Sequence, residues 1–312
     1  MNRLAITLAA LRGEMSGVRP PVAVAVSSHG IVAGATLPDA DFPQLAHASL
    51  PADAVHAGIL ETNLARPSEI SAAMRATLAR VEPPSRAVSL IVPDAAVRVF
   101  VLDFDTLPTR RDEVIPVLRF RLRKSVPFDM EQAGLSYQVL SEGSARLETP
   151  WKVLVTVIPG PILAEYESAL RAAGYEPGVV LPTCLAALCS LESQQSELVA
   201  YLGTHSLTIA IVSGSDFLLY RTIDLPDDPA AQRTELMRSV AVACAFYEDT
   251  LQAPPLRLLY AGVLSGEEFA AAIAESGLSV EPFLPLTSAA SQLPEETNGA
   301  VAAVVGALAG TR

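Results

Sequence analysis

The sequence predicts an α/β protein of two lobes, each a mixed sheet with helices on its faces, and an α+β insertion in the first lobe. Three observations lead there. The second half of the chain runs three strands, helix, strand, helix, strand, helix. Three meandering strands followed by α/β alternation describe a mixed sheet covered by helices. The first half repeats that plan more loosely, with extra material between its fourth strand and its next helix. The chain has 312 residues, half of them hydrophobic and few aromatic, enough for two cores built from Ala, Val and Leu.

The second half is the clearer. Glu197–Gly203, Ser206–Val212 and Phe217–Leu225 are β-rich apolar runs, the last two joined by the turn Ser213-Gly214-Ser215-Asp216. Asp228 is placed to cap a helix from Pro229 to Leu251, with Pro in the first turn, where no amide is missed. Leu256–Tyr260 is a short buried strand. Ser265-Gly266-Glu267-Glu268 is a capping box opening a helix that stops at Gly277. Ser279–Leu284 is a further strand, and Asn298 caps an Ala/Val helix to Ala309.

In the first half, Val22–Val26 and Ile31–Leu37 are strands joined through Ser27-Ser28-His29-Gly30, and a third is expected near His56–Leu60. A helix runs from Ser68 to Val81, and Val88–Val92 is a buried strand. Val97–Phe104 is a strand, Thr109 caps a helix through Lys124 that Pro127 ends, and Tyr137–Leu140 and Val153–Ile158 are strands. Pro161 starts a helix ending before Gly174, and Thr183 caps another through Leu191. The expected organisation is a tail or short helix over 1–21, a first lobe over 22–192 with an insertion over 97–154, and a second lobe over 193–312. The last helix is a candidate to pack back on the first lobe.

Composition excludes several chemistries. The formal charge of −12 opposes nucleic-acid binding, which rests on phosphate neutralisation by Lys and Arg. The three cysteines, Cys184, Cys189 and Cys244, have no metal-like spacing, and Cys184 and Cys189 read as small core residues. His29, His47, His56 and His205 make no metal pattern; His29 and His205 fall in comparable hairpin turns and are candidates to face one cleft. Nothing reads as a nucleophile elbow. No catalytic or metal-binding residue is expected. Leu4–Leu11 is too short to span a bilayer and lacks a signal-peptide cleavage site, which leaves a tail or docked local helix or, as the alternative, a short amphipathic helix that touches a membrane or a neighbour.

The segment from Leu118 to Leu140, LRFRLRKSVPFDMEQAGLSYQVL, carries a family pattern: a helix, the break Val126-Pro127-Phe128, acidic residues, then Tyr137-Gln138-Val139. It resembles the PilM proteins of type IV pilus assembly, actin-like and related to FtsA, in which a helix meets an Ile-Pro-Phe break before a Tyr-Gln-Val strand. Val153–Pro159 with the helix ending at Ala172-Ala173-Gly174-Tyr175, Phe246-Tyr247 with the strand to Tyr260, and the closing Gly306-Ala307-Leu308 extend the likeness over nearly the whole chain.

The resemblance implies a two-lobed actin-like, ribonuclease-H-like fold. In that fold nucleotide lies between two β-hairpins, each opening on Asp-X-Gly, with a Gly-Gly turn for the adenosine. Here the candidate nucleotide residues are Ser27, Ser28, Gly203, Thr204, Ser206 and Gly262. Both Asp positions are lost, to Ala25 and to Tyr201. Neither replacement can hold a hydrated Mg²⁺ as a carboxylate does, so ATP hydrolysis is not expected and ATP with Mg²⁺ is disfavoured as a cofactor. The resemblance also implies a cytoplasmic protein at the inner-membrane face. Its partner there is the N-terminal peptide of a PilN-like membrane protein, and a pilus motor ATPase is a further candidate. Phe120, Arg121, Arg123, Val126 and Phe128 are the candidate edge of the peptide groove. The alternatives are the cytoplasmic actin-like domain of a type II secretion protein, against which the lack of a membrane segment after Leu308 counts, and an active actin-like ATPase or kinase.

Within 110–124 lie six of the 22 Lys and Arg: Arg110, Arg111, Arg119, Arg121, Arg123 and Lys124. Leu118, Leu122, Val114 and Ile115 form the apolar face of this helix, and Arg119 and Arg123 share a face and repel. The basic face reads either as a solvated surface or as a docking surface for an acidic peptide or anionic headgroups.

Overall fold

The computed structural model describes residues 19–36, 42–142, 149–193, 195–214, 216–284 and 293–309. The Leu4–Leu11 segment, Ser215 and the last three residues lie outside them. The described residues form three sheets. In the first, β1 (Val22–Ser27), β2 (Gly30–Ala35) and β3 (Gln44–Ala48) form an antiparallel meander. β4 (Ala87–Val92) lies parallel to β1, and β8 (Glu176–Pro182) parallel to β4, giving the order β3-β2-β1-β4-β8. The second sheet repeats this with β9 (Ser196–Leu202), β10 (Ser206–Ser213), β11 (Asp216–Asp224), β12 (Leu258–Gly262) and β13 (Val280–Pro282), ordered β11-β10-β9-β12-β13. The third and smallest sheet, β5-β7-β6, is antiparallel and joins β5 (Arg98–Phe104), β6 (Gly134–Ser141) and β7 (Trp151–Ile158).

Alternation along β1 decides what covers each face of the first sheet. Val22, Val24 and Val26 point into the main core with residues of α1 (Pro67–Arg80) and α3 (Gly160–Ala172). Ala23 and Ala25 point to the other face. Small side chains there let α7 (Asn298–Ala309) lie close, packed also on α4 (Thr183–Leu188). So the last helix of the chain returns to the first lobe. In the second sheet, Leu198, Ala200, Leu207 and Ile209 pack under α5 (Pro229–Leu251) and α6 (Gly266–Ala272). Its opposite face, with Val199, Tyr201, Ala210, Val212, Phe217 and Tyr220, joins the same core as Val24 and Val26. One hydrophobic core therefore runs through both lobes.

The small sheet packs Val153, Val155 and Val157 against Val114, Leu118 and Leu122 of α2 (Arg111–Leu122). Its other face gives Val99, Leu140, Leu154 and Ile158 to the main core.

Three caps in the second half form as expected: the Asp228 carboxylate accepts from the Ala231 amide, Ser265 and Glu268 make both bonds of the capping box, and Gly277 turns left-handed at φ 70°. Asn298, expected as a cap, has helical backbone and lies inside its helix, because a 3₁₀ turn over Glu295–Thr297 leads straight into it. Four expectations in the first half need correction. The third strand is Gln44–Ala48, a half-buried edge strand whose Gln44 and His47 mask its alternation. The expected site near His56–Leu60 is a loop held by Asn63, whose side chain accepts from Gly58 N and donates to Gly58 O. β8 was not anticipated, because Pro177, Gly178 and Pro182 read as breakers; at the sheet edge, with one side unpaired, they are tolerated. Finally, neither Thr109 nor Thr183 is a cap. Arg110 and Pro182 precede their helices, and the Thr183 hydroxyl donates to Val92 O at 2.8 Å.

Candidate functional site

The ends of β1 and β9 meet in the middle of the molecule, and the hairpin turns that follow them face each other. In the first turn the Ser27 hydroxyl donates to Gly30 O at 3.1 Å. In the second the Gly203 amide donates to Ser206 O at 2.8 Å. Each turn thus spends polar groups on closing itself. Across the gap the hydroxyls of Ser28 and Thr204 meet at 2.5 Å. The space beneath, lined by Ser27, Ser28, Asp94, Tyr201, Gly203 and Thr204 among others, holds about 50 Å³, whereas sites for drug-sized molecules span roughly 300–1,000 Å³.

The two positions that lack Asp explain part of this closure. Ala25 is 2% exposed and faces α7. Tyr201 fills its neighbourhood: its ring lies over Gly299 in the first turn of α7, where a Cβ would sit 2.5 Å from Oη. Burial pushes the Tyr201 phenol up, so it stays neutral. The sixth candidate, Gly262, is apart from the other five. It lines a separate cavity of about 660 Å³ with Ser265, Glu267, Phe283, Glu295 and Asn298. Over the turn itself, Tyr260 stacks on Phe269 at 4.1 Å, and its hydroxyl donates to Leu264 O and accepts from Leu264 N. Neither cavity is lined by Lys or Arg among the described residues, so neither offers a counter-charge to phosphate.

One carboxylate in this region was not found by sequence reasoning. Asp94 sits in a 3₁₀ turn just past β4, 4% exposed. Both its oxygens accept from the Cys184 amide at 3.1 Å in the first turn of α4, and the Tyr220 hydroxyl of the second lobe donates to it at 3.4 Å. Desolvation pushes its pKa up to about 7, while the Cys184 amide and the Tyr220 hydroxyl pull it back. The available signal was an acid directly after a buried strand and a Pro; its partners lie 90 and 126 residues away. The lobes are bridged again by Arg98 and Asp224 at 2.7 Å. Of the two turn histidines, His205 lines the space beneath the hairpin turns at its exposed edge, 3.4 Å from Asp227, while half-buried His29 lies 3.4 Å from the Ser28 hydroxyl and is not part of the lining. Cys184 and Cys189 are buried in and beside α4.

Two sheets of one strand order, apposed across hairpin turns, define the architecture. Comparison with solved structures agrees: the chain is similar to the PilM–PilN type IV pilus biogenesis complex, with TM-score 0.71 at 18% identity over 94% of this chain and 99% of that one. The fold is actin-like. It is also similar to the cytoplasmic domain of EpsL, an inner-membrane component of the type II secretion system of Vibrio cholerae, with TM-score 0.51 at 14% identity over 87% and 92% of the two chains. No protein-family model and no curated protein matches the sequence. On this actin-like frame, no group of three or more His, Cys, Asp or Glu could hold a metal, and no helix is long and apolar enough to cross a membrane, both among the described residues.

The partner-binding candidates divide. Phe120, Arg121 and Arg123 stand together on the outer face of α2 and its end, with the Arg123 guanidinium 4.4 Å above the Phe120 ring. Val126 does not join them: it is buried in the core of the small sheet with Leu118 and Met130, so it contributes packing rather than a groove edge. Phe128 is half-buried against that core. Arg119 does not share a face with Arg123 as expected. It turns inward and donates to Ala133 O at 3.0 Å, leaving its Nη1 buried without a partner.

Proposed function

We propose that the protein is a non-hydrolysing adaptor of type IV pilus assembly, cytoplasmic at the inner-membrane face, that binds the N-terminal peptide of a PilN-like membrane protein. Support for the partner comes from the likeness to the PilM–PilN complex over 94% of the chain, together with the helix–break–strand segment from Leu118 to Leu140. The type II secretion reading has the lower TM-score, 0.51 against 0.71. We place the peptide site at the junction of the small sheet with the first lobe, near Phe128, where Gln132 O lies against Gly160 at the start of α3. In isothermal titration, the N-terminal peptide of a PilN-like protein from the same organism is expected to bind with micromolar affinity; no heat at high peptide concentration would remove the adaptor reading.

The observation that carries the absence of hydrolysis is the Ser28–Thr204 contact over a space of about 50 Å³. The two hairpin turns are here joined by side chains, and the buried Asp94 carboxyl lines the same space. A titration with MgATP is expected to give no saturable heat. Micromolar binding would return the chain to the ATPase or kinase class.

A further inference from the structure

α2 has two faces of opposite use. Its inner face, Val114, Leu118 and Leu122, is at most 2% exposed. At 100° per residue, Val117, Phe120 and Arg121 fall on the other side. There Val117 is 37% and Phe120 67% exposed, and Arg121, Arg123 and Lys124 surround them. None of these three cations pairs with a carboxylate among the described residues, and the acids in the first turn, Asp112 and Glu113, are taken by Arg110. An exposed aromatic ringed by unpaired cations is unusual on a chain of net charge −12.

The shape separates two classes of partner. A peptide-binding groove covers the side chains that line it; Phe120 at 67% exposure stands on a convex ridge. A planar layer of headgroups fits a ridge. The charge of the whole molecule argues the same way. At −12 the protein is repelled by an anionic leaflet everywhere except through a local basic patch, which therefore also sets its orientation. We propose that the outer face of α2 lies on an anionic lipid surface, with Phe120 entering the interface and Arg121, Arg123 and Lys124 holding headgroup phosphates. This goes beyond the peptide reading and does not depend on it.

The test is sedimentation of the full chain with vesicles of phosphatidylcholine alone or mixed with phosphatidylglycerol. Binding is expected only to the mixed vesicles and is expected to weaken as salt is raised. The variant Phe120→Ser/Arg121→Glu/Lys124→Glu changes only exposed side chains, so circular dichroism should match the parent. Its partition should fall by at least about twenty-fivefold, taking about fivefold per cation. Three results overturn the proposal: no binding of the parent to mixed vesicles, equal binding to neutral ones, or retained binding by the variant, which would move the contact to another part of the chain. A variant that loses the PilN-like peptide while keeping its vesicles also overturns it and makes the face a peptide site. Peptide affinity measured without vesicles reports on the adaptor reading separately.

Discussion

Replacing Asp94 with Asn will make the protein more stable at pH 8 relative to the parent, and the advantage will vanish in acid. The sign follows from linkage. The folded carboxyl titrates at about 7, whereas an unfolded Asp titrates near 3.9. Between those values the folded state holds a proton that the unfolded state has lost, so parent stability falls as pH rises through this window and levels off above it. About three units correspond to a ceiling of about 4 kcal/mol; relaxation around the charge lowers that to a few kcal/mol. Asn keeps an acceptor for the Cys184 amide and has nothing to titrate. His47 acts the other way, because desolvation lowers its pKa and its neutral form is favoured as pH rises. The parent-minus-variant difference, taken from urea unfolding at a series of pH values, isolates Asp94. A difference that does not change with pH would mean that the carboxyl is hydrated and does not carry the buried charge described above.

Gly306→Ala will destabilise the protein by up to about 2 kcal/mol, although helix propensity alone predicts a gain. Removing a glycine from a helix interior is worth about 1 kcal/mol. Against that, a Cβ at Gly306 would lie 2.1 Å from Ala186 O and 2.7 Å from Ala187 O. Both are backbone carbonyls of α4 and cannot rotate aside. Overpacking of this kind costs about 1–3 kcal/mol, more where the neighbour is rigid, and here it would lift α7 from the sheet that carries the first hairpin. Gly266→Ala is the control: its Cβ meets nothing within 4 Å, and its midpoint should not move. Equal urea midpoints for parent and Gly306→Ala would show that the two helices can separate without loss.

Legibility differed between the lobes for a physical reason. The second lobe is written in local signals: β9 and β10 are almost wholly buried runs, Asp228 and Ser265 cap their helices, and Gly277 stops one. β3 and β8 are edge strands, half-buried and carrying His47 in one and Pro177 in the other. Their pairing comes from a neighbouring strand rather than from a pattern of their own. In the site, that Ala25 and Tyr201 carry no carboxylate was readable residue by residue. That Gly262 would open onto a different cavity, and that Val126 would turn into the core while Phe120 turned out, was not. Both depend on how the small sheet and β13 pack.

The sequence alone determined the order of elements, the Val and Ala alternation that assigns faces to β1, the doubled α/β plan and the absence of a carboxylate from both hairpin turns. These rest on neighbours within a few residues. Only the tertiary structure decided that the hairpins touch through Ser28 and Thr204, that Tyr201 occupies the space over Gly299, and that Asp94 is held by Cys184 and Tyr220. Such contacts join segments 90 to 176 residues apart. They exist because strand register and the closing helix bring those segments within a few ångströms, a condition that no local spacing encodes.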